Sequence, residues 1–259
     1  MRILTTSTKM RTLDYDLSPR VRAFTTTHAV EARRTHPLPL SELTGLPLER
    51  IVIPHQVHDT RTLCIDTAFL NLSTEERAER LEGIDAVMTS LPETLICIST
   101  ADCIPIIIYD ARQHVAAAIH AGWKGTVRRI AEQAFAVMQQ TYDTQASDCH
   151  AVIGPGISLE CFEVGDEVYE RFTNAGFDMK TIACRFPVQG ADTCPATKWH
   201  IDLKLCNHQQ LIRCGFSEQN IQVSDICTMS NPNYFSARRE GPATGRNMTC
   251  ITLNPKQNI

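Results

Sequence analysis

The sequence has no surplus of basic residues: 25 lysines and arginines stand against 29 aspartates and glutamates, for a formal charge of -4. An electrostatic grip on nucleic acid or on an anionic lipid surface is therefore not expected. No stretch approaches the roughly 20 apolar residues that a membrane-crossing helix requires, and "MRILTTSTKMRTLDYD" lacks the apolar middle of a signal peptide. A cytoplasmic protein with no membrane partner is expected. CxxC is absent although the chain has 11 cysteines, and an odd count in a chain of this length argues for reduced thiols over a disulfide scaffold. Internal repeats, low-complexity tracts and Gly/Ser linkers are also missing. The 259 residues suffice to bury a sizeable core and enclose a site. A single domain over 1–259, monomeric and with a small-molecule partner, is the expectation.

What is present is a series of short β-rich runs bounded by turn residues: "RIVIP", "TLICIST", "CIPIIIY", "HVAAAIH", "CHAVIG", "NIQVSDI" and "MTCITL". Helices are fewer. "STEERAERLEG" opens with Ser73 and Glu76 in capping-box spacing. Gly125 to Tyr142 places Val127, Ile130, Ala134, Phe135 and Met138 on one face of a helix. A third helix is expected near Val164, Val168 and Phe172, and a fourth between an Asp202 N-cap and Gly215. Thr27 to Arg50 reads as loop with at most a short helix. Strands outnumber helices without alternating one for one, so the fold class is α+β, with mixed sheets and flanking helices.

Three residues each bound an apolar run: His58 in "PHQVHDT", Cys103 in "TADCIP" and His120 in "AAAIHAGWKG". Singly, each is an ordinary buried thiol or satisfied imidazole. Together they form a donor set for zinc, with a fourth tetrahedral position left for water or substrate. His55, three residues before His58, would serve as well by residue type, and spacing does not choose between them. A metal-free alternative uses Cys103 as a nucleophile activated by His120. "HAGWKGT" ends a strand and begins a helix, so its free backbone N–H groups and Lys124 would suit an anion beside His120. "NYFSARREGPATGRN" packs Arg238, Arg239 and Arg246 between glycines, which suits phosphate or carboxylate.

In combination, "QVH", "DAVMTS", "ADCIP", "HAGWKGT", "IGPGISLECFEVGDEV" and "CTMSNPNYFSARREGPATGRN" closely resemble the YfiH-like family, also called the laccase-domain or polyphenol oxidase family. The resemblance runs from about Arg50 to Leu253. It implies the α+β fold shared with the catalytic domain of cytotoxic necrotizing factor. It also implies a zinc-dependent purine nucleoside phosphorylase with adenosine deaminase and methylthioadenosine phosphorylase activity. The zinc ligands it implies are His58, Cys103 and His120.

The segment over residues 1–50 departs from the family pattern. "AFTTTHAVEARRTHPLPL" keeps the threonines of "TTR-GGVS" but not its Arg-Gly-Gly, and the "NLG" and "HVGDD" segments are absent. His28, Arg33 or Arg34 are the residues available to substitute. For phosphorolysis the expected roles are Cys103, His120 and Arg238 in catalysis and Lys124, Arg238 and Arg239 on phosphate. Copper oxidation, the alternative in the older family name, depends on His-x-His pairs, and none of the nine histidines forms one; copper would bind the same donors adventitiously. A degenerate member that binds a nucleoside or a protein partner is the non-enzymatic alternative.

Overall fold

The computed structural model describes residues 11–187 and 197–255; the opening segment read for a signal peptide lies largely outside them. The described strands are β1 (Thr12–Tyr15), β2 (Val21–Thr26), β3 (Ile51–Val52), β4 (Thr62–Ile65), β5 (Ala86–Thr89), β6 (Leu95–Thr100), β7 (Ile104–Asp110), β8 (Val115–Ala121), β9 (Cys149–Ile153), β10 (Glu163–Val164), β11 (Ala183–Pro187), β12 (Thr197–Ile201), β13 (Ile221–Val223) and β14 (Asn247–Leu253). The helices are α1 (Leu38–Thr44), α2 (Thr67–Leu70), α3 (Thr74–Arg80), α4 (Trp123–Val127), α5 (Ile130–Tyr142), α6 (Asp166–Asn174), α7 (Met179–Ile182), α8 (Leu203–Arg213) and α9 (Ala237–Glu240).

Two mixed sheets carry the fold, in the orders β1-β2-β14-β6-β3 and β13-β9-β7-β8-β5-β4, and a small sheet β10-β12-β11 stands beside them. Side-chain alternation explains how they pack. In β7, Ile104, Ile106 and Ile108 enter the core shared with α5 and α8. Ile107 and Tyr109 enter the second core, where Ile96, Ile98 and Ile251 come from the other large sheet. β8 follows suit, with Val115, Ala117, Ile119 and Ala121 on the helix side and Ala116 and Ala118 on the sheet side. His120 falls in the second register. A third core, around Phe24, Leu40, Leu95 and Cys250, closes the outer face under α1. Each such aliphatic side chain contributes roughly 1.5–3 kcal/mol on burial.

β7 and β8 form an antiparallel hairpin in which Ile104 faces Ala121 and Pro105 faces His120. The start of one strand thus lies beside the end of the other, which brings the Cys103 and His120 positions together. The loop between β2 and β3 holds only α1 and one 3-10 turn, Leu48–Arg50. Ser73 and Glu76 make both bonds of the capping box at the start of α3. Asp202 caps α8 through Leu205 N–H, 2.9 Å away, and Gly215 follows its end with φ +94°.

The single helix expected over Gly125–Tyr142 is two. α4 and α5 are separated by Arg128 and by Arg129, which is left-handed at φ +62°. The amphipathic spacing held across the break because α4 and α5 pack on the same sheet. The break turns the Arg128 guanidinium back onto Asp59 Oδ1 (2.7 Å) and the His58 carbonyl (2.5 Å). That bond ties α4 to the segment carrying His58.

Candidate metal centre

His58, Cys103 and His120 converge. One ligand atom from each lies within 4.8 Å of the others, and among the described residues this is the one such cluster. Cys103 Sγ is 3.7 Å from His58 Nε2, and the two imidazoles meet edge to face with centroids 4.8 Å apart. Tetrahedral zinc, with Zn–S ~2.3 Å and Zn–N ~2.0–2.1 Å, separates sulfur from nitrogen ligands by about 3.5 Å. The donor set, and the separation of Cys103 Sγ from His58 Nε2, therefore fit zinc.

One buried carboxylate organises the cluster. Asp85 precedes β5 and is fully buried. Its Oδ1 accepts from His58 N–H (2.9 Å) and pairs with His120 Nδ1 (2.7 Å); its Oδ2 accepts from Val57 N–H (3.1 Å) and Asp59 N–H (2.9 Å). The Asp85 carbonyl also accepts from His120 N–H at 2.8 Å. Asp85 thus holds the loop of His58 and the ring of His120, and its bond to His120 Nδ1 leaves Nε2 for the cluster. Burial works to raise the Asp85 carboxyl, but His120 and the backbone donors hold it below the usual range. His58 itself sits at φ +63°, a conformation held here by those three N–H bonds.

Asp102 does the corresponding work at Cys103. It adopts φ +89°, and its carboxylate accepts from Thr228 Oγ1 (2.7 Å), Ser236 Oγ (3.0 Å) and Arg238 N–H (2.7 Å). The segment after β13 is thereby fastened beneath Cys103. Burial pushes the Cys103 thiol up, yet the charge of His120 and hydrogen bonds from both imidazoles bring it down to about 6. Burial likewise opposes charge on His120, and Cys103 and Asp85 overcome it, raising the ring to about 9. Gly122 completes the floor: a Cβ there would lie 2.7 Å from His58 Cδ2 and 3.0 Å from Cys103 Sγ.

Above the cluster is a cavity of about 420 Å³ whose lining includes His55, Gln56, Ser99, Thr100, Arg34 and Arg246. Of the residues offered for the altered amino-terminal segment, Arg34 lines it, whereas His28 is bonded through Nδ1 to the Pro232 carbonyl. Lys124, Arg238 and Arg239 are not among its lining residues. Lys124 lines a separate hollow with Trp123, Arg128 and Arg171. The Arg238 guanidinium bonds the Cys161 and Glu163 carbonyls. Arg239 is spent on the Thr228, Met229, Asn231 and Tyr234 carbonyls and on Glu240. Asp85 and Asp102 escaped the sequence reading; "DAV" and "ADC" lay inside recognised runs, but nothing in a linear sequence shows that their carboxylates hold His58, His120 and the segment beside Cys103.

Comparison with known proteins extends these observations. Residues 24–254 match the family model described as multi-copper polyphenol oxidoreductase laccase. A purine nucleoside phosphorylase of Bacteroides thetaiotaomicron is 40% identical over 227 residues, 87% of this chain and 81% of that one. Adenosine deaminase RL5, from an unknown prokaryotic organism, is 39% identical over 215 residues, 83% of this chain and 79% of that one. The crystal structure of YlmD from Geobacillus stearothermophilus superposes with a TM-score of 0.75 at 26% identity, covering 91% of this chain and 93% of that one. Because the match spans nearly the whole described chain, with His58, Cys103 and His120 inside it, the chain belongs to the laccase-domain family of YfiH and YlmD proteins.

Proposed function

We propose that the chain is a zinc-dependent purine nucleoside phosphorylase, converting adenosine, inosine or methylthioadenosine and phosphate to the free base and pentose 1-phosphate. The observation that carries this reading is the convergence of His58, Cys103 and His120 in a cavity that Arg34 and Arg246 also line. The names of the relatives at 40% and 39% identity support it. The cavity falls within the range of roughly 300–1,000 Å³ usual for small-molecule sites.

A donor set of two nitrogens and one thiolate favours zinc, which supplies a Lewis-acidic centre with an open position when bound. Multi-copper oxidation finds no support in one cluster of three ligands among the described residues. Arg34 and Arg246 line the cavity; Arg246 donates to the Pro242, Thr244 and Gly245 carbonyls, so Arg34 is the cation that takes the phosphate role in place of Lys124, Arg238 and Arg239. Arg238 keeps an indirect part, since its N–H helps fix Asp102 beside Cys103. The deaminase relative favours a second activity at the same cavity, release of ammonia from adenosine. A cytoplasmic setting fits, because the ten described cysteines are all free thiols.

The test is the zinc-loaded protein incubated with each nucleoside, with and without phosphate, the products being resolved by chromatography. Phosphate-dependent release of base, lost in His58→Ala, Cys103→Ala and His120→Ala, is expected. Activity unchanged in all three variants would refute the assignment, and a complete lack of base and of inosine would favour the degenerate, binding-only member.

A further inference from the structure

His55 was a rival ligand on sequence grounds, and its place in the fold gives it other work. Its backbone is pinned on both sides: His55 N–H donates to the Leu81 carbonyl at 3.0 Å, and Gly83 N–H donates to the His55 carbonyl at 2.9 Å. This bridge sets its ring beside Glu82, whose Oε1 is paired with His55 Nδ1. Glu82 is steadied in turn by Arg61, which donates to its carbonyl at 3.2 Å. His55 stays outside the metal cluster but lines the same cavity as His58, Cys103 and His120. With Nδ1 on a carboxylate, the exchangeable position left to the cavity is Nε2.

Elimination among the lining groups leads to the same residue. The three ligands are committed to the cluster. The Gln56 amide is consumed by Ser99, donating to its carbonyl at 2.9 Å and accepting from its N–H at 2.8 Å. Arg34 and Arg246 stay protonated at any working pH and transfer no proton. Ser99 and Thr100 are hydroxyls, far too weak as acids. A carboxylate-paired imidazole is the group suited to moving a proton near neutrality.

We infer that His55 is the general acid that protonates the departing base, with Glu82 as its positioning residue. The inference rests on the phosphorolytic reading given above. In the step, a phosphate oxygen forms a bond to the ribose anomeric carbon as the C1′–N9 bond breaks. The bonding pair passes into the purine, whose ring nitrogen N7 takes the proton from His55 Nε2. The imidazolium becomes neutral imidazole while its Nδ1–H stays on Glu82. The neutral base departs, and the proton carried in on the attacking hydrogen phosphate returns the imidazole to its starting state through solvent. Glu82 holds the tautomer and the orientation of the ring, as a carboxylate does for the histidine of a hydrolytic triad.

The test uses a substrate that needs no acid. In 7-methylinosine the N7 position is already quaternised, so its base leaves without a proton. Zinc-loaded wild type, His55→Gln and Glu82→Gln are compared on inosine and 7-methylinosine at saturating phosphate, with zinc content measured for each. His55→Gln is expected to lower kcat/KM for inosine by roughly 10²–10⁴-fold, leave 7-methylinosine within about threefold, and keep its zinc. Glu82→Gln is expected to move the ratio of the two substrates in the same direction by about tenfold. Equal losses on both substrates, or none on inosine, overturn the inference while leaving the phosphorylase reading intact. A wild type that cleaves neither nucleoside overturns both.

Discussion

Replacing Asp85 with asparagine changes one atom in a fully buried group and should disable the metal centre without unfolding the protein. The carboxylate receives four donors, two on each oxygen. An amide has one acceptor to offer. If its oxygen stays on His58 N–H and His120 Nδ1, the amide nitrogen confronts the N–H groups of Val57 and Asp59. Two charge-assisted bonds worth about 1.5–3 kcal/mol each are then lost, a ceiling of ~3–6 kcal/mol on the hold over the His58 loop. If the amide is flipped, its nitrogen faces His120 Nδ1, which must accept; the imidazole proton then moves to Nε2 and occupies the lone pair a metal needs. Either orientation loosens one ligand. Zinc affinity should fall by roughly 10–100-fold, read by competition with a chromophoric chelator, while circular dichroism stays native. Asp178→Asn is the control, because that exposed carboxylate accepts from Lys180 N–H and Thr181 Oγ1 at the start of α7, away from the cluster. An Asp85→Asn protein that holds zinc as tightly as wild type would refute the argument.

Gly122→Ala should fail as a metal site for a different reason. Its backbone, at φ −68°, suits alanine, but the new methyl would meet His58 Cδ2 and Cys103 Sγ at 2.7 and 3.0 Å. Zinc per chain by mass spectrometry should drop well below one while metal-free thermal unfolding shifts by no more than about 1–3 kcal/mol equivalent; full occupancy would contradict this. A pH dependence is expected at Cys227. Burial pushes its thiol up, but hydrogen bonds from Ser158 and Ser230 prevail and bring it down to about 7 from an ordinary value of 9.0. A depressed acid of this kind contributes stability above its unfolded pKa and loses it as pH falls through the folded value. The urea stability gap between wild type and Cys227→Ala should therefore widen between pH 6 and pH 9, by on the order of 2 kcal/mol. A gap independent of pH would remove the assignment.

How much of this was legible in the sequence depended on whether polarity followed burial. "CIPIIIY" and "HVAAAIH" announce themselves because every residue is apolar or ends a run, and they became β7 and β8. β2 did not, because Thr25 and Thr26 are buried polar residues. Their hydroxyls are satisfied across strands: Thr25 Oγ1 bonds Tyr15 Oη and Thr249 Oγ1, and Thr26 Oγ1 accepts from Met248 N–H. A hydroxyl that finds its partner 224 residues away leaves no local periodic signal. β5, four residues long and buried throughout, is too short to show a period. At the site, His58, Cys103 and His120 were legible by residue type and by family motif. The arginines were not, since Arg238, Arg239 and Arg246 look alike in sequence and differ only in which carbonyls surround them.

β14 has a consequence for how the protein is made. It lies between β2 and β6, so the five-stranded sheet has no middle until residues near the end of the described chain have been synthesised. On the ribosome, β2 and β6 must wait, bare along the sides that β14 will join, until β14 emerges. Such edges invite pairing with other nascent chains. Asp102 waits as well, because Thr228, Ser236 and Arg238 arrive almost as late. The His58–Cys103–His120 cluster is therefore completed only late, and a ribosome stalled before β14 would release an aggregation-prone chain.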